Sequence, residues 1–116
     1  MGENVILSKS HSFADRIVKM HRYLTSEKKE YEMSKQILKS GTSIGANVSE
    51  AQQAQSKADF ISKLSIALKE AKETEYWIER LFNGNYLTEK QYNSILVDSI
   101  ELIKLLTSII KTTKLT

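Results

Sequence analysis

The sequence has no cysteine and no proline, and glycine occurs only four times in 116 residues. Without cysteine there are no disulfides and no thiolate metal sites, and a reducing cytoplasm is the expected setting. Proline and glycine punctuate loops, so their scarcity predicts few, short connections and a mostly helical chain. No apolar run approaches the ~18 residues of a membrane span. The start, MGENVILSKS, lacks a basic stretch followed by a long apolar core, so no signal peptide is expected. Histidine occurs only at His11 and His21. The Glu-x-x-His pairs of di-iron bundles are therefore missing, and Glu70/Glu73 lacks the histidine. No metal or other cofactor is expected. No Gly-x-Ser-x-Gly motif is present either. The chain is not expected to be an enzyme, although a Ser/His/Asp triad assembled in space stays open.

What is present reads as helix. Ser12-Phe-Ala-Asp15 and Ser56-Lys-Ala-Asp59 have the form of an N-cap with an acidic N3 residue. Thr88-Glu-Lys-Gln91 is a fuller capping box, with Leu87 and Tyr92 placed as a hydrophobic staple. Asn83-Gly84-Asn85 is a helix stop, with Gly84 as the left-handed residue. These signals predict helices near 9–26, 30–54, 57–83 and 89–113, the first with room to begin one turn earlier. Each has an apolar seam at helical spacing, such as Phe13, Ile17, Met20 and Leu24 in the first. On the fourth, the seam is expected at Tyr92, Leu96, Ile100, Ile103, Leu106 and Ile110. Long helices with short joints favour antiparallel neighbours, so the expected fold is all-α: an antiparallel up-and-down four-helix bundle in a single domain over residues 1–116.

The stretch SGTSIGANVSEAQ, residues 40–52, is rich in small residues and could be taken for a phosphate-cradling loop. The apolar seam nevertheless runs through it without losing register, at Ile37, Gly41, Ile44, Val48 and Ala51. It also lacks both the P-loop and the dinucleotide-binding glycine patterns. It therefore reads as the middle of the second helix. Interior glycines cost about 1 kcal/mol each relative to alanine, and close approach of a neighbouring backbone is the usual compensation. Gly41 and Gly45, four apart, would admit one.

A polar layer is expected inside the seam. Glu75 falls at the centre of the apolar face of the third helix, between Leu64, Leu68, Ala71, Ile78 and Phe82, where a carboxylate needs partners. Ser40 and Asn47 of the second helix and Thr74 of the third are placed to supply hydrogen bonds and fix the register of the pair. The alternative is a buried catalytic acid with a raised pKa.

Two surfaces point outward. The fourth helix carries Ile95, Leu102 and Ile109 at seven-residue spacing with Leu105 beside them, and the third carries Ile66 and Trp77 with Glu70 between. Such stripes suit self-association, the alternative being one wide core face. The first helix places Lys9, Arg16, Lys19 and Arg22 on its outer side, with Lys28 and Lys29 just beyond. Net charge is +3, and residues 1–40 hold eight Lys/Arg against five Asp/Glu. In a ring of subunits this stripe would repeat and meet phosphates without sequence preference. A merely solvated helix face is the alternative.

Two blocks carry a family resemblance. SKQILKSGTSIGANVSEA resembles the pattern S-x-Q-x-x-x-S-x-T-S-I-x-A-N-x-x-E-A, through Ser34, Gln36, Ser40, Thr42, Ser43, Ile44, Ala46, Asn47, Glu50 and Ala51. DFISKLSIALKEAKETEYWIERL resembles the block that follows it, through Phe60, Lys63, Ile66, Ala67, Lys69, Glu70, Ala71, Glu73, Tyr76 and Trp77. Together they are similar to the four-helix-bundle proteins associated with bacterial ribosomal-RNA intervening sequences. The resemblance implies a ring, a pentamer, and no settled activity. One relative is an accessory factor of diversity-generating retroelements associated with nucleic acid and a reverse transcriptase. Two readings follow: a homo-oligomeric accessory factor binding RNA or DNA through the basic stripe, or a scaffolding ring binding a protein partner through its apolar stripes.

Overall fold

The four amphipathic segments form α1 (Val5–Ser26), α2 (Glu32–Ala51), α3 (Lys57–Asn83) and α4 (Glu89–Lys114) in a computed structural model that describes residues 4–116. Residues 1–3, where the stretch read for a signal peptide begins, lie outside the described residues. Each helix packs against the next, and α4 returns to α1, giving an up-and-down four-helix bundle. The bundle measures 46 × 22 × 20 Å, its length set by α3 with 27 residues at ~1.5 Å per residue. No described helix is long and apolar enough to cross a membrane.

Local chemistry fixes the ends. Ser56 Oγ accepts from the Asp59 backbone N–H at 3.0 Å and starts α3. Thr88 and Gln91 form a reciprocal capping box at the start of α4, at 3.1 and 2.9 Å. α3 ends in a Schellman arrangement: Tyr86 N–H reaches Leu81 O and Asn85 N–H reaches Phe82 O. The left-handed residue there is Asn85, with φ 68°, and not Gly84, whose φ is −84°. Asparagine tolerates that region better than most side chains, so glycine is not needed.

α1 begins before the expected boundary, because Ile6 and Ser10 continue its buried face one turn and more ahead of Phe13. Ser12 is consequently an exposed mid-helix residue and no cap. The end of α1 and the start of α2 rest on Glu30. Its buried carboxylate accepts the backbone N–H groups of Glu32, Met33 and Ser34 at 3.1, 3.0 and 2.7 Å. Those are donors that a helix start leaves unpaired, and a negative charge there also suits the helix dipole.

The core runs along the bundle through Phe13, Ile17, Ile37, Ile44, Leu64 and Ile78 with their neighbours. The small residues of α2 serve both its flanks. A Cβ on Gly41 would lie 2.7 Å from Ile17 Cγ1, and one on Gly45 would lie 3.1 Å from His11 Cδ2 and 3.3 Å from the Ser10 carbonyl oxygen. Both glycines thus let α1 approach. On the opposite flank, Ser40 meets Thr74 of α3.

That Ser40–Thr74 contact is the whole of the expected polar layer. The two buried hydroxyls are hydrogen-bonded at 2.9 Å, and the Thr74 hydroxyl also reaches the Glu70 carbonyl at 2.8 Å. Asn47 turns back to donate to Ser43 O of its own helix at 2.9 Å. Glu75 is half-exposed and makes no hydrogen bond among the described residues. The buried line of α3 is Leu64, Ala67, Ala71, Thr74, Ile78 and Leu81, with Leu68 and Phe82 only half-buried, so Glu75 stands at its edge and not at its centre, and its carboxylate keeps contact with water.

α4 is rotated from its expected facing. Its buried line is Ile95, Ser99, Leu102, Leu106 and Ile110, with Ile95 and Leu102 each only 1% exposed. Ile95 and Leu102 are therefore core residues and not part of an oligomer stripe. Tyr92, at the margin, stacks on Phe82 of α3 with centroids 4.1 Å apart. Leu96, Ile100 and Ile103 are half-buried, and Ser99 Oγ is buried with no hydrogen-bond partner.

Candidate nucleic-acid interface

α1 and α4 meet over a much smaller surface than the other neighbouring pairs, and polar side chains bridge them. Arg16 Nη1 pairs with Asp98 Oδ2 at 2.6 Å and donates to Ser94 O at 3.2 Å, while Nη2 donates to Ser94 Oγ at 2.8 Å. One turn and more toward the chain start, Lys9 Nζ lies 3.1 Å from Glu101 Oε2. Two of the expected outer cations thus face α4, each beside a carboxylate in a half-exposed ion pair. The helical wheel accounts for this, since positions 9 and 16 lie next to the buried Phe13 line on the side α4 occupies.

Lys19, Arg22, Lys28 and Lys29 are exposed, and none is in an ion pair among the described residues. They run from the second half of α1 into the turn that follows. Lys29 holds a left-handed backbone, φ 55°, which helps turn the chain toward α2. Across the seam Lys90, in the first turn of α4, adds a further cation that sequence reasoning did not select. Arg16, Lys19 and Lys90 edge a groove of about 530 Å³ between α1 and α4. Met20, Tyr23, Leu87 and Ile95 line it with apolar surface. Lys90 joins the site only through the antiparallel register, which no local spacing shows, whereas Tyr23 stands one turn on from Lys19 and Met20 on α1.

The apolar surfaces sort differently. On α3, Ile66 is 41% and Tyr76 49% exposed, with Trp77 and Glu70 half-buried beside them. Trp77 sits edge-on to Tyr76 at 4.9 Å, its Nε1 donates to Glu73 at 3.4 Å, and the Arg80 guanidinium lies 5.0 Å from the Tyr76 ring centre. On α4, Leu105 and Ile109 remain half-exposed after Ile95 and Leu102 turn inward. His11 is hydrogen-bonded to Ser49 across the α1/α2 joint at 2.8 Å. Among the described residues no three His, Asp or Glu side chains gather as a metal site.

A family model described as 23S rRNA-intervening sequence protein matches residues 2–108. A crystal structure of a protein with unknown function from the S23 ribosomal protein family of Bacteroides thetaiotaomicron VPI-5482 is 63% identical. The match covers 92% of this chain and 99% of that one, with a TM-score of 0.91. No curated protein shows significant similarity to the chain.

Proposed function

The chain belongs to the 23S rRNA-intervening sequence protein family, and from that premise we propose that it is a non-enzymatic, homo-oligomeric accessory factor of the bacterial cytoplasm that binds RNA or DNA. The observation that carries this reading is the run of exposed cations Lys19, Arg22, Lys28 and Lys29, which have no ion-pair partner among the described residues. Free cations gain from phosphates by releasing counterions, whereas a cation already paired must first break its pair. Lys9 and Arg16, already paired with Glu101 and Asp98, therefore contribute less to the interface than the unpaired four. Self-association rests on α3, where Ile66, Tyr76 and Trp77 form an apolar surface that a neighbouring subunit, in a pentameric ring, would cover.

Binding of a structured RNA and a duplex DNA, titrated against salt, tests the nucleic-acid reading. Engagement of four cations per subunit gives a log–log slope of about −3 to −4. Lys19→Glu with Arg22→Glu should flatten that slope and weaken binding of both polymers. Undiminished binding would sink the assignment. Light scattering tests assembly: the wild-type chain should run as an oligomer, and Ile66→Glu with Trp77→Ala as a monomer.

A scaffolding ring that binds a protein partner is the second reading. It is favoured by Val97, 65% exposed, which with Ile100 and Leu105 lines a shallow groove on α4. Absence of nucleic-acid binding at low salt would decide for it.

A further inference from the structure

The groove between α1 and α4 offers hydrogen-bond capacity that is mostly of one kind. Gln91 uses its Oε1 to accept the Thr88 N–H, which leaves its Nε2 to donate. Ser94 Oγ accepts from Arg16 Nη2, which leaves its own O–H to donate. Lys19 and Lys90 are donors only. The nearby acid, Asp98, is matched by Arg16 at 2.6 Å. Beneath these donors lies apolar surface: Met20, the Tyr23 ring, Leu87 and Ile95. The fitting occupant is an anion rich in acceptors with a flat apolar body. At about 530 Å³ the groove has the size of a small-molecule site. Both its walls are helices, so it offers no free backbone edge to an extended peptide.

We infer that this groove receives one unpaired nucleotide of a single strand, the base entering beside Tyr23 and its phosphate held by Lys19 and Lys90. The inference rests on the nucleic-acid reading above and adds to it a preference for unpaired over paired strands. A duplex keeps its bases stacked inside and presents phosphates, so it would use the cations and leave the apolar floor empty. A single strand can place a base against an aromatic ring as well.

The test measures anisotropy of a labelled single-stranded oligonucleotide and of its duplex, with the full chain at low salt. The single strand should bind more tightly. Tyr23→Leu, which keeps apolar bulk but removes the ring, should weaken the single strand about tenfold and leave the duplex unchanged. Lys19→Glu with Lys90→Glu should weaken both. A photoreactive thiouridine in the strand should crosslink to Met20 or Tyr23 in the wild-type chain, a readout that survives if Tyr23→Leu fails to fold. Equal binding of strand and duplex, both insensitive to Tyr23→Leu, would overturn the groove while leaving the proposed function intact. A crosslink elsewhere would do the same. No binding of either polymer would overturn both.

Discussion

Gly41→Ala sets two effects of opposite sign against each other. Helix propensity favours alanine by about 1 kcal/mol. Packing opposes it, because the new methyl would stand 2.7 and 2.9 Å from Ile17 Cγ1 and Cγ2. Comfortable carbon contacts lie at about 3.5–4.0 Å, so the methyl needs roughly 1 Å more room. Ile17 is fully buried and branched at Cβ, so it has no easy rotamer to yield to. Overpacking of this kind costs about 1–3 kcal/mol, and contact with both γ-carbons points to the upper end. The expected net loss is therefore about 2 kcal/mol. A double-mutant cycle isolates the cause. Ile17→Ala alone should lose about 3 kcal/mol through its cavity. In the double variant the methyl introduced at position 41 enters the vacated space, so the loss should fall to about 2 kcal/mol, far below additivity. Gly45→Ala is the milder control, because its neighbours, the exposed His11 ring at 3.1 Å and the Ser10 carbonyl oxygen at 3.3 Å, stand farther off than Ile17 does from Gly41. Urea unfolding followed by circular dichroism, at one protein concentration throughout, gives all four values. A Gly41→Ala chain as stable as the wild type, or an additive double variant, would refute the close-approach argument.

Substitutions at three further positions test single features. Glu30→Ala should lose about 2 kcal/mol, since it strips the acceptor from three backbone N–H groups, while Glu30→Gln, keeping one acceptor oxygen, should lose less; equal melting of both variants and wild type would count against the cap. Ser99→Ala should raise stability by about 1 kcal/mol by removing a buried hydroxyl without a partner, and a lower melting temperature would show that the hydroxyl is satisfied in solution. Lys29→Gly should gain about 1 kcal/mol by relieving the left-handed backbone and should also weaken nucleic-acid binding, so stabilisation and affinity are expected to move in opposite directions.

The helices were legible because caps and seams are local. Thr88 and Gln91, or Ser56 and Asp59, declare a helix start within four residues. The unbroken seam at Ile37, Gly41, Ile44, Val48 and Ala51 carried α2 across a stretch that composition alone would call a loop. The facing of α4 was not legible, because it is apolar over most of its circumference. Leu96, Ile100 and Ile103 compete with Ile95 and Leu102, and only packing against α1 and α3 selects among them. The same limit applies to Glu75. A wheel drawn through Leu64, Leu68, Ala71, Ile78 and Phe82 centres it on the apolar face, but packing buries the line through Ala67, Thr74 and Leu81 and leaves Leu68, Glu75 and Phe82 at the margin. For the basic stripe, spacing found the cations but not their fates. Arg16 and Lys9 look like Lys19 and Arg22 in sequence, and Asp98 and Glu101 separate them from across the seam.

The glycines and the groove are linked through α1. With no side chain at Gly41 or Gly45, α1 sits close against α2, where Ile17 and the Ser10 carbonyl occupy the space a Cβ would fill. A helix drawn toward one neighbour leaves the opposite seam wider. Opposite α2 the seam is α1/α4, and there the contact surface is small and long side chains do the bridging: Arg16 to Asp98 and Ser94, Lys9 to Glu101. Nearer the α4 start no such bridge spans the gap among the described residues, and Lys19 and Lys90 flank open space above Tyr23 and Leu87. The small residues of SGTSIGANVSEAQ, which first suggest a phosphate loop, touch no phosphate site. Their part is to set where α1 lies against α2.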